Sequence, residues 1–122
     1  MLRQGPLPLF VHGVIEYLAA VLLIAAPFLF DFHSGAAKAA SIVAGVIVLV
    51  VAATTDSPTS LVNSIALSAH VLLDFALAAA LVGAPFLFSF SSESAPTAFF
   101  IIIGVAHLLI TIATRFPTRL KA

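Results

Sequence analysis

The 122-residue chain is 62% hydrophobic and only 8% charged, and its mean hydropathy of +1.24 excludes an ordinary soluble protein, in which about a quarter of residues are charged. Its formal net charge is zero and it has no basic run, which excludes nucleic acid as a partner, because phosphate binding requires clustered Lys and Arg. Without cysteine it can form no disulfide, no thiolate metal site and no c-type haem attachment.

Four apolar segments follow one another along the chain, at about residues 7–30, 36–53, 65–88 and 96–114. Each is close to the roughly 20 residues that a helix needs to cross a bilayer. Pro8 and Pro96 suit the first turns of the first and fourth helices, whereas Pro27 and Pro85 mark where the first and third helices stop or kink. We therefore predict an all-α membrane protein with four transmembrane helices.

The first and third of these segments are two copies of one sequence. Residues 12–32 and 70–90 share 9 identities in 21 positions at a constant offset of 58, and after one inserted residue the match continues at an offset of 59. We place the first repeat at about 8–61 and the second at about 66–120, within a single membrane domain spanning 1–122. Short polar links make consecutive helices antiparallel neighbours, so each repeat is a helical hairpin. The two hairpins are then parallel repeats related by a pseudo-twofold axis along the membrane normal.

Each repeat ends its first helix with Ala-Pro-Phe followed by Leu-Phe-x-Phe, at 26–32 and 84–90. Together with the repeated hairpin, this motif is similar to the SPW-repeat membrane proteins, a bacterial family named for Ser-Pro-Trp at this position. The chain resembles a variant of that family, with Ala-Pro-Phe in both copies, and the resemblance covers nearly its whole length. It implies a multi-pass protein of the bacterial cytoplasmic (inner) membrane, but it implies no reaction and contributes no catalytic residues.

The basic residues indicate how the helices are oriented. Lys38 lies near the outer loops, and four others lie on the side that holds both termini: Arg3, Arg115, Arg119 and Lys121. Because cytoplasmic loops carry an excess of Lys and Arg, we expect both termini in the cytoplasm. Eight phenylalanines then crowd the outer side, as a packed or partner-facing surface: Phe28, Phe30, Phe32, Phe86, Phe88, Phe90, Phe99 and Phe100.

Five ionisable side chains, here called the polar cluster, lie inside the apolar segments on the side of the termini. His12 and Glu16 are four residues apart and share a helical face, as do their repeat counterparts His70 and Asp74. His107 in the fourth segment lies at about the same depth, about 12 Å from the interface at 1.5 Å per residue, whereas the matching residue of the second segment is a valine. A carboxylate in mid-bilayer costs at least about 2.5–3.5 kcal/mol, so all five side chains are expected to face inward.

The polar cluster leaves several interpretations open. In the structural one, His12 pairs with Asp74 and His70 with Glu16 across the axis, or each histidine pairs with the carboxylate of its own helix. In a second, the five residues, including His107, hold a transition metal, since imidazole and carboxylate ligands suit Zn, Fe, Mn or Cu. Two others are a haem b ligated by His12 and His70, and a path for protons or ions.

The sequence carries no motif of an enzyme. It has no Gly-rich phosphate loop, no nucleophile elbow and no HExxH, so no catalytic residue is assigned. The expectation is a small scaffold or accessory subunit that contacts the lipid bilayer and either other membrane proteins or copies of itself. The alternative is a metal-binding, haem-binding or proton-handling protein that uses the polar cluster.

Overall fold

The computed structural model describes residues 5–115, which contain four α-helices and no β-strand. The helices are α1 (Leu9–Leu29), α2 (Gly35–Thr54), α3 (Leu67–Leu87) and α4 (Ser94–Ala113). Each has 20 or 21 residues, a length of about 30 Å at 1.5 Å per residue, and each is long and apolar enough to cross a membrane. The prediction of four such helices is confirmed. Arg3, Arg119, Lys121 and the end of the second repeat lie outside the described residues.

The first helix of each hairpin ends in the same way. Pro27 and Pro85 lie inside the last turns of α1 and α3. Just beyond each helix, the backbone becomes left-handed at Asp31 and Ser89, with φ of 53° and 61°. The N–H of the next residue then donates to the proline carbonyl, at 3.0 Å after α1 and 2.9 Å after α3. This is a Schellman motif, which satisfies the last carbonyls of the helix and turns the chain back toward the membrane.

Within each hairpin the two helices pack closely, α1 along α2 and α3 along α4. Glycines permit the approach. Gly45 of α2 lies against α1, where an added Cβ would be 2.8 Å from the Ala20 carbonyl oxygen, and Gly104 of α4 lies against α3, where it would be 3.1 Å from the Val82 nitrogen. Ser41, one turn before Gly45, donates its hydroxyl to a backbone carbonyl of α1. Small residues therefore set the helix contact, as is common in membranes.

The two hairpins interlock at the end of the bundle that holds residues 5 and 115, here called the polar end. The chain after α4 forms a parallel backbone bridge with the chain before α1, at Leu7 and Thr114. The chain after α2 forms another with the chain before α3, at Thr55 and Ile65. The two bridges are equivalent in the sequence alignment, at offsets of 58 and 59. Each hairpin thus ends beside the first helix of the other.

At the opposite end, here called the phenylalanine end, the eight outer phenylalanines divide into two sets. Phe32, Phe90 and Phe100 are almost fully buried, and their rings pack on one another and on Phe99 with centroid distances of 5.1–6.5 Å. The other four are 47–74% exposed: Phe28, Phe30, Phe86 and Phe88. The expected phenylalanine surface is therefore in part a core that joins the two hairpins.

Glu93, the residue before α4, also joins the hairpins at the phenylalanine end. Its carboxylate oxygens accept the backbone N–H groups of His33 at 2.7 Å and Ser34 at 2.8 Å, in the loop between α1 and α2. These hydrogen bonds hold the pKa of the Glu93 carboxyl below its ordinary value of 4.5, and the one from His33 has the largest effect. The ionised form of Glu93 is therefore the form that stabilises the fold.

Glu93→Gln should remove a pH-dependent part of this stability. Because the folded-state pKa is lowered, the contribution is present above the unfolded-state pKa and is lost as the pH falls through the folded-state value. The difference in unfolding free energy between the wild type and Glu93→Gln should shrink as the pH falls from neutral to below the ordinary pKa of 4.5 and on through the lowered one, measured by denaturant unfolding in detergent. A difference that stays constant over this range would contradict the assignment.

Candidate functional site

One turn of α1 and one turn of α3 carry four buried polar side chains. His12 and Glu16 lie on one face of α1, and His70 and Asp74 lie on the corresponding face of α3. Each of the four is at most 4% exposed. The two faces meet at the polar end, where the rings of His12 and His70 are 6.0 Å apart between centroids. The structure thus brings these four residues together inside the bundle.

Each histidine contacts both carboxylates through its Nε2 atom. His12 Nε2 lies 3.2 Å from Asp74 Oδ2 and 3.2 Å from Glu16 Oε2. His70 Nε2 lies 2.8 Å from Glu16 Oε2 and 3.2 Å from Asp74 Oδ1. The pairing across the bundle and the pairing within each helix, expected as alternatives, are therefore present at the same time.

Two threonines orient the histidine rings. His12 Nδ1 lies 2.7 Å from Thr114 Oγ1, and His70 Nδ1 lies 2.7 Å from Thr55 Oγ1. Each threonine hydroxyl donates its single hydrogen to the carbonyl one turn earlier in its own helix, at 2.6 Å, so it can only accept a hydrogen bond from the histidine. Nδ1 is therefore the N–H donor in both rings. A neutral ring then presents the lone pair of Nε2 to the carboxylates.

This orientation of the rings requires a proton or a cation between each Nε2 atom and the carboxylates. A nitrogen lone pair and a carboxylate oxygen repel each other at 2.8–3.2 Å. The repulsion is removed when a proton lies between them, on either partner, or when a cation binds to both. With neutral rings and ionised carboxylates the site carries two negative charges, which an apolar bundle tolerates poorly.

The same four residues meet the geometric requirement for a metal ion. One ligand atom from each of His12, Glu16, His70 and Asp74, here called the four-ligand set, lies within 4.8 Å of every other. Metal–ligand bonds of about 2.0–2.2 Å place neighbouring ligand atoms about 3.3–3.6 Å apart at tetrahedral angles and about 2.8–3.1 Å apart at right angles. The nitrogen–oxygen separations of 2.8–3.2 Å are close to the second spacing. Since two ligand atoms of one ion can be at most about 4.4 Å apart, the set can receive an ion after a small inward shift of any pair near the 4.8 Å limit.

His107 lies beside the four-ligand set. Its Nε2 atom is 3.3 Å from Asp74 Oδ1, and its ring is 6.5 Å from the ring of His12 between centroids. The side chain is buried, and within residues 5–115 its Nε2 atom has no hydrogen-bond partner. His107, the fifth predicted ligand, thus lies beside the other four and contacts the carboxylate of Asp74.

The functional residues that sequence reasoning missed are Thr55 and Thr114. A signal was present, because the two are matched at the offset of 59 and both directly follow a helix. Their role depends on the interlocked hairpin ends, which place each threonine beside the histidine of the other hairpin. The remaining histidine, His33, lies at the phenylalanine end and is exposed, 3.4 Å from Asp31.

Two apolar crevices between the hairpins reach the polar cluster from the sides of the bundle. A cavity of about 230 Å³ between α2 and α3 reaches Glu16 and Asp74. A second cavity of about 230 Å³ between α1 and α4 reaches Glu16 and His107. The crevices exist because these helix pairs, which belong to different hairpins, contact each other much less than the pairs within a hairpin.

A family model described as the SPW repeat domain matches residues 10–114. The matched range includes the whole polar cluster and both threonines that orient its rings. No curated protein and no solved structure matches the chain.

Proposed function

The chain belongs to the SPW repeat family and is a multi-pass membrane protein, and on this premise we propose that it binds one divalent transition-metal ion inside its helix bundle. The ligands are the four-ligand set, from His12, Glu16, His70 and Asp74. One observation carries the proposal: two threonine hydroxyls turn the Nε2 lone pairs of both histidines toward two buried carboxylates. That is the arrangement in which metal-binding histidines are commonly held, with the other ring nitrogen donating to a fixed acceptor.

Charge balance supports a divalent ion. Two neutral imidazoles and two carboxylates carry two negative charges, and leaving such charges uncompensated in an apolar interior costs several kcal/mol. One divalent cation cancels both charges and binds all four groups at once. The occupied site then carries no net charge within the membrane-spanning part of the bundle.

The ligand types favour a bare ion over haem. Imidazole nitrogen and carboxylate oxygen together suit Zn²⁺, Fe²⁺ or Mn²⁺. A haem b between His12 and His70 would need its macrocycle in the space that the two rings face. Carboxylate oxygens lie within 3.2 Å of both Nε2 atoms in that space. The same oxygens that obstruct a porphyrin are ligands for an ion.

A structural role is the second candidate, and it is favoured by the contacts within the four-ligand set itself. Two protons shared between the histidines and the carboxylates would neutralise the same groups without a metal. The protein would then be a small scaffold or accessory subunit that contacts lipid and either other membrane proteins or its own copies. Proton transfer through these groups is a further property of that metal-free state. None of these functions requires enzymatic chemistry.

The proposed location is the bacterial cytoplasmic (inner) membrane, with the polar end and both termini on the cytoplasmic side. Arg115 lies at the polar end. Three further basic residues occur near the termini in the sequence: Arg3, Arg119 and Lys121. The excess of basic residues on the cytoplasmic side of membrane proteins supports this orientation.

Metal analysis of the purified protein tests the proposal. We expect about one divalent transition-metal ion per chain, and a lower melting temperature after chelation, since a ligand at 100 times its Kd stabilises a protein by about 2.7 kcal/mol. Glu16→Gln and Asp74→Asn should each abolish binding, because a neutral amide is a far poorer ligand than a carboxylate for these ions.

Asp31→Asn is the matched control, because it neutralises an exposed carboxylate at the phenylalanine end. This variant should bind metal as the wild type does. A wild-type protein that contains no metal, and whose melting responds neither to added Zn²⁺ nor to chelator, would overturn the metal proposal in favour of the structural role.

A further inference from the structure

His107 breaks the equivalence of the two hairpins at the site. The equivalent position in α2 is Val48, which is 4% exposed, so the bundle accepts an apolar side chain there. In α4 the position instead holds an imidazole whose side chain is 8% exposed. Among the described residues, its Nε2 atom makes no hydrogen bond of good geometry, but it contacts Asp74 Oδ1 at 3.3 Å. Burying a polar imidazole where the other hairpin buries valine costs desolvation, which packing alone does not offset.

The position of this nitrogen relates it to the proposed ion. Asp74 Oδ1 lies between two imidazoles, 3.2 Å from His70 Nε2 and 3.3 Å from His107 Nε2. Neighbouring ligand atoms of one ion are separated by about 2.8–3.6 Å, depending on the angle at the ion. His107 also lines the crevice between α1 and α4 together with Glu16. It therefore approaches the four-ligand set from α4, a helix that supplies no other ligand.

We propose that His107 is a fifth ligand of the ion, which completes a site of three imidazoles and two carboxylates. The inference rests on the proposed metal function and names the class of ion: one that takes five or six ligands, such as Fe²⁺, Mn²⁺ or Co²⁺, ahead of Zn²⁺, which favours four. The ligand atoms of the other four residues lie within 4.8 Å of one another, and His107 is outside that group. The His107 ring therefore moves toward the ion when the ion binds.

Co²⁺ is the probe, because its visible absorption reports its coordination number. Four-coordinate sites absorb strongly, and five- or six-coordinate sites absorb weakly. The wild type loaded with Co²⁺ should show weak bands, and His107→Val should show the strong bands of a four-coordinate site. Valine is chosen because Val48 occupies the equivalent position. The Co²⁺ affinity of His107→Val, relative to its Zn²⁺ affinity, should fall by at least about tenfold.

Two further variants keep the test decisive. His107→Phe retains a planar ring without a ligand atom and should change the spectrum as His107→Val does. If one of the two variants fails to fold, the other still provides the test. His33→Val removes an exposed histidine and should leave the spectrum unchanged. Identical Co²⁺ spectra in the wild type and both His107 variants would overturn this inference while leaving the four-ligand site in place. A wild type that binds no Co²⁺ or Zn²⁺ would overturn the site itself.

Discussion

His70→Leu should lower the free energy of unfolding by about 1–3 kcal/mol, because it removes one partner of a buried hydrogen-bond network. The change deprives Glu16 of its 2.8 Å contact and Thr55 of its N–H donor. Leucine has a volume similar to that of histidine, so the loss reports polar contacts more than a cavity. The measurement is equilibrium unfolding in detergent with chelator present, which keeps metal binding out of the result.

The matched control is His33→Leu, because the His33 side chain is 79% exposed and that of its carboxylate neighbour Asp31 is 90% exposed. Its effect should stay within about 0.5 kcal/mol. A double-mutant cycle gives a second check. Glu16→Gln should cost less in the His70→Leu background than in the wild type, since the carboxylate has already lost its 2.8 Å contact with His70 and keeps only the one with His12. Equal effects of His33→Leu and His70→Leu would mean that the buried contacts contribute nothing.

Gly45→Ala and Gly104→Ala should each destabilise the protein by about 1–3 kcal/mol, as overpacking of a close helix contact does. At Gly45 the added Cβ would lie 2.8 Å from the Ala20 carbonyl oxygen and 3.0 Å from the Ile24 nitrogen. Backbone atoms cannot rotate out of the way as a side chain can. The two helices of the hairpin must therefore separate, and they lose packing along their length.

Gly83→Ala provides the same chemical change without the contact. The nearest atom to its added Cβ would be Leu87 Cδ1 at 3.7 Å, an ordinary van der Waals distance. Alanine is the better helix former, so this variant should gain about 0.5–1 kcal/mol. Denaturant unfolding of the three variants should give effects of opposite sign. A Gly45→Ala protein as stable as Gly83→Ala would exclude the close packing of α1 and α2.

The fold could be predicted from sequence because a bilayer imposes one length on every spanning helix. The apolar runs gave bounds within two residues of those in the structure. At α4 the prediction began at Pro96, whereas the helix begins at Ser94. Proline is accepted anywhere in the first turn of a helix, because the N–H groups there have no partner within the helix. A proline therefore does not identify the first residue of the helix.

The site could be predicted only in part. Helical periodicity placed His12, Glu16, His70 and Asp74 on two facing surfaces, and their depth followed from 1.5 Å per residue. The threonines that orient the rings could not be found in this way, because their role depends on where the hairpin ends cross. Nor does periodicity reveal that Asp74 contacts three imidazoles, since that depends on how the second hairpin packs.

The bond between His12 and Thr114 spans 102 positions of sequence, and this separation bears on how the protein is synthesised. The ribosome completes α1, with His12 and Glu16, long before it makes Asp74 or the end of α4. Until then both side chains lack their partners on α3 and after α4, and lipid disfavours them. The polar cluster is therefore complete only when the whole bundle has been made, and a chain that stops before Thr114 lacks the hydroxyl that accepts from His12 Nδ1.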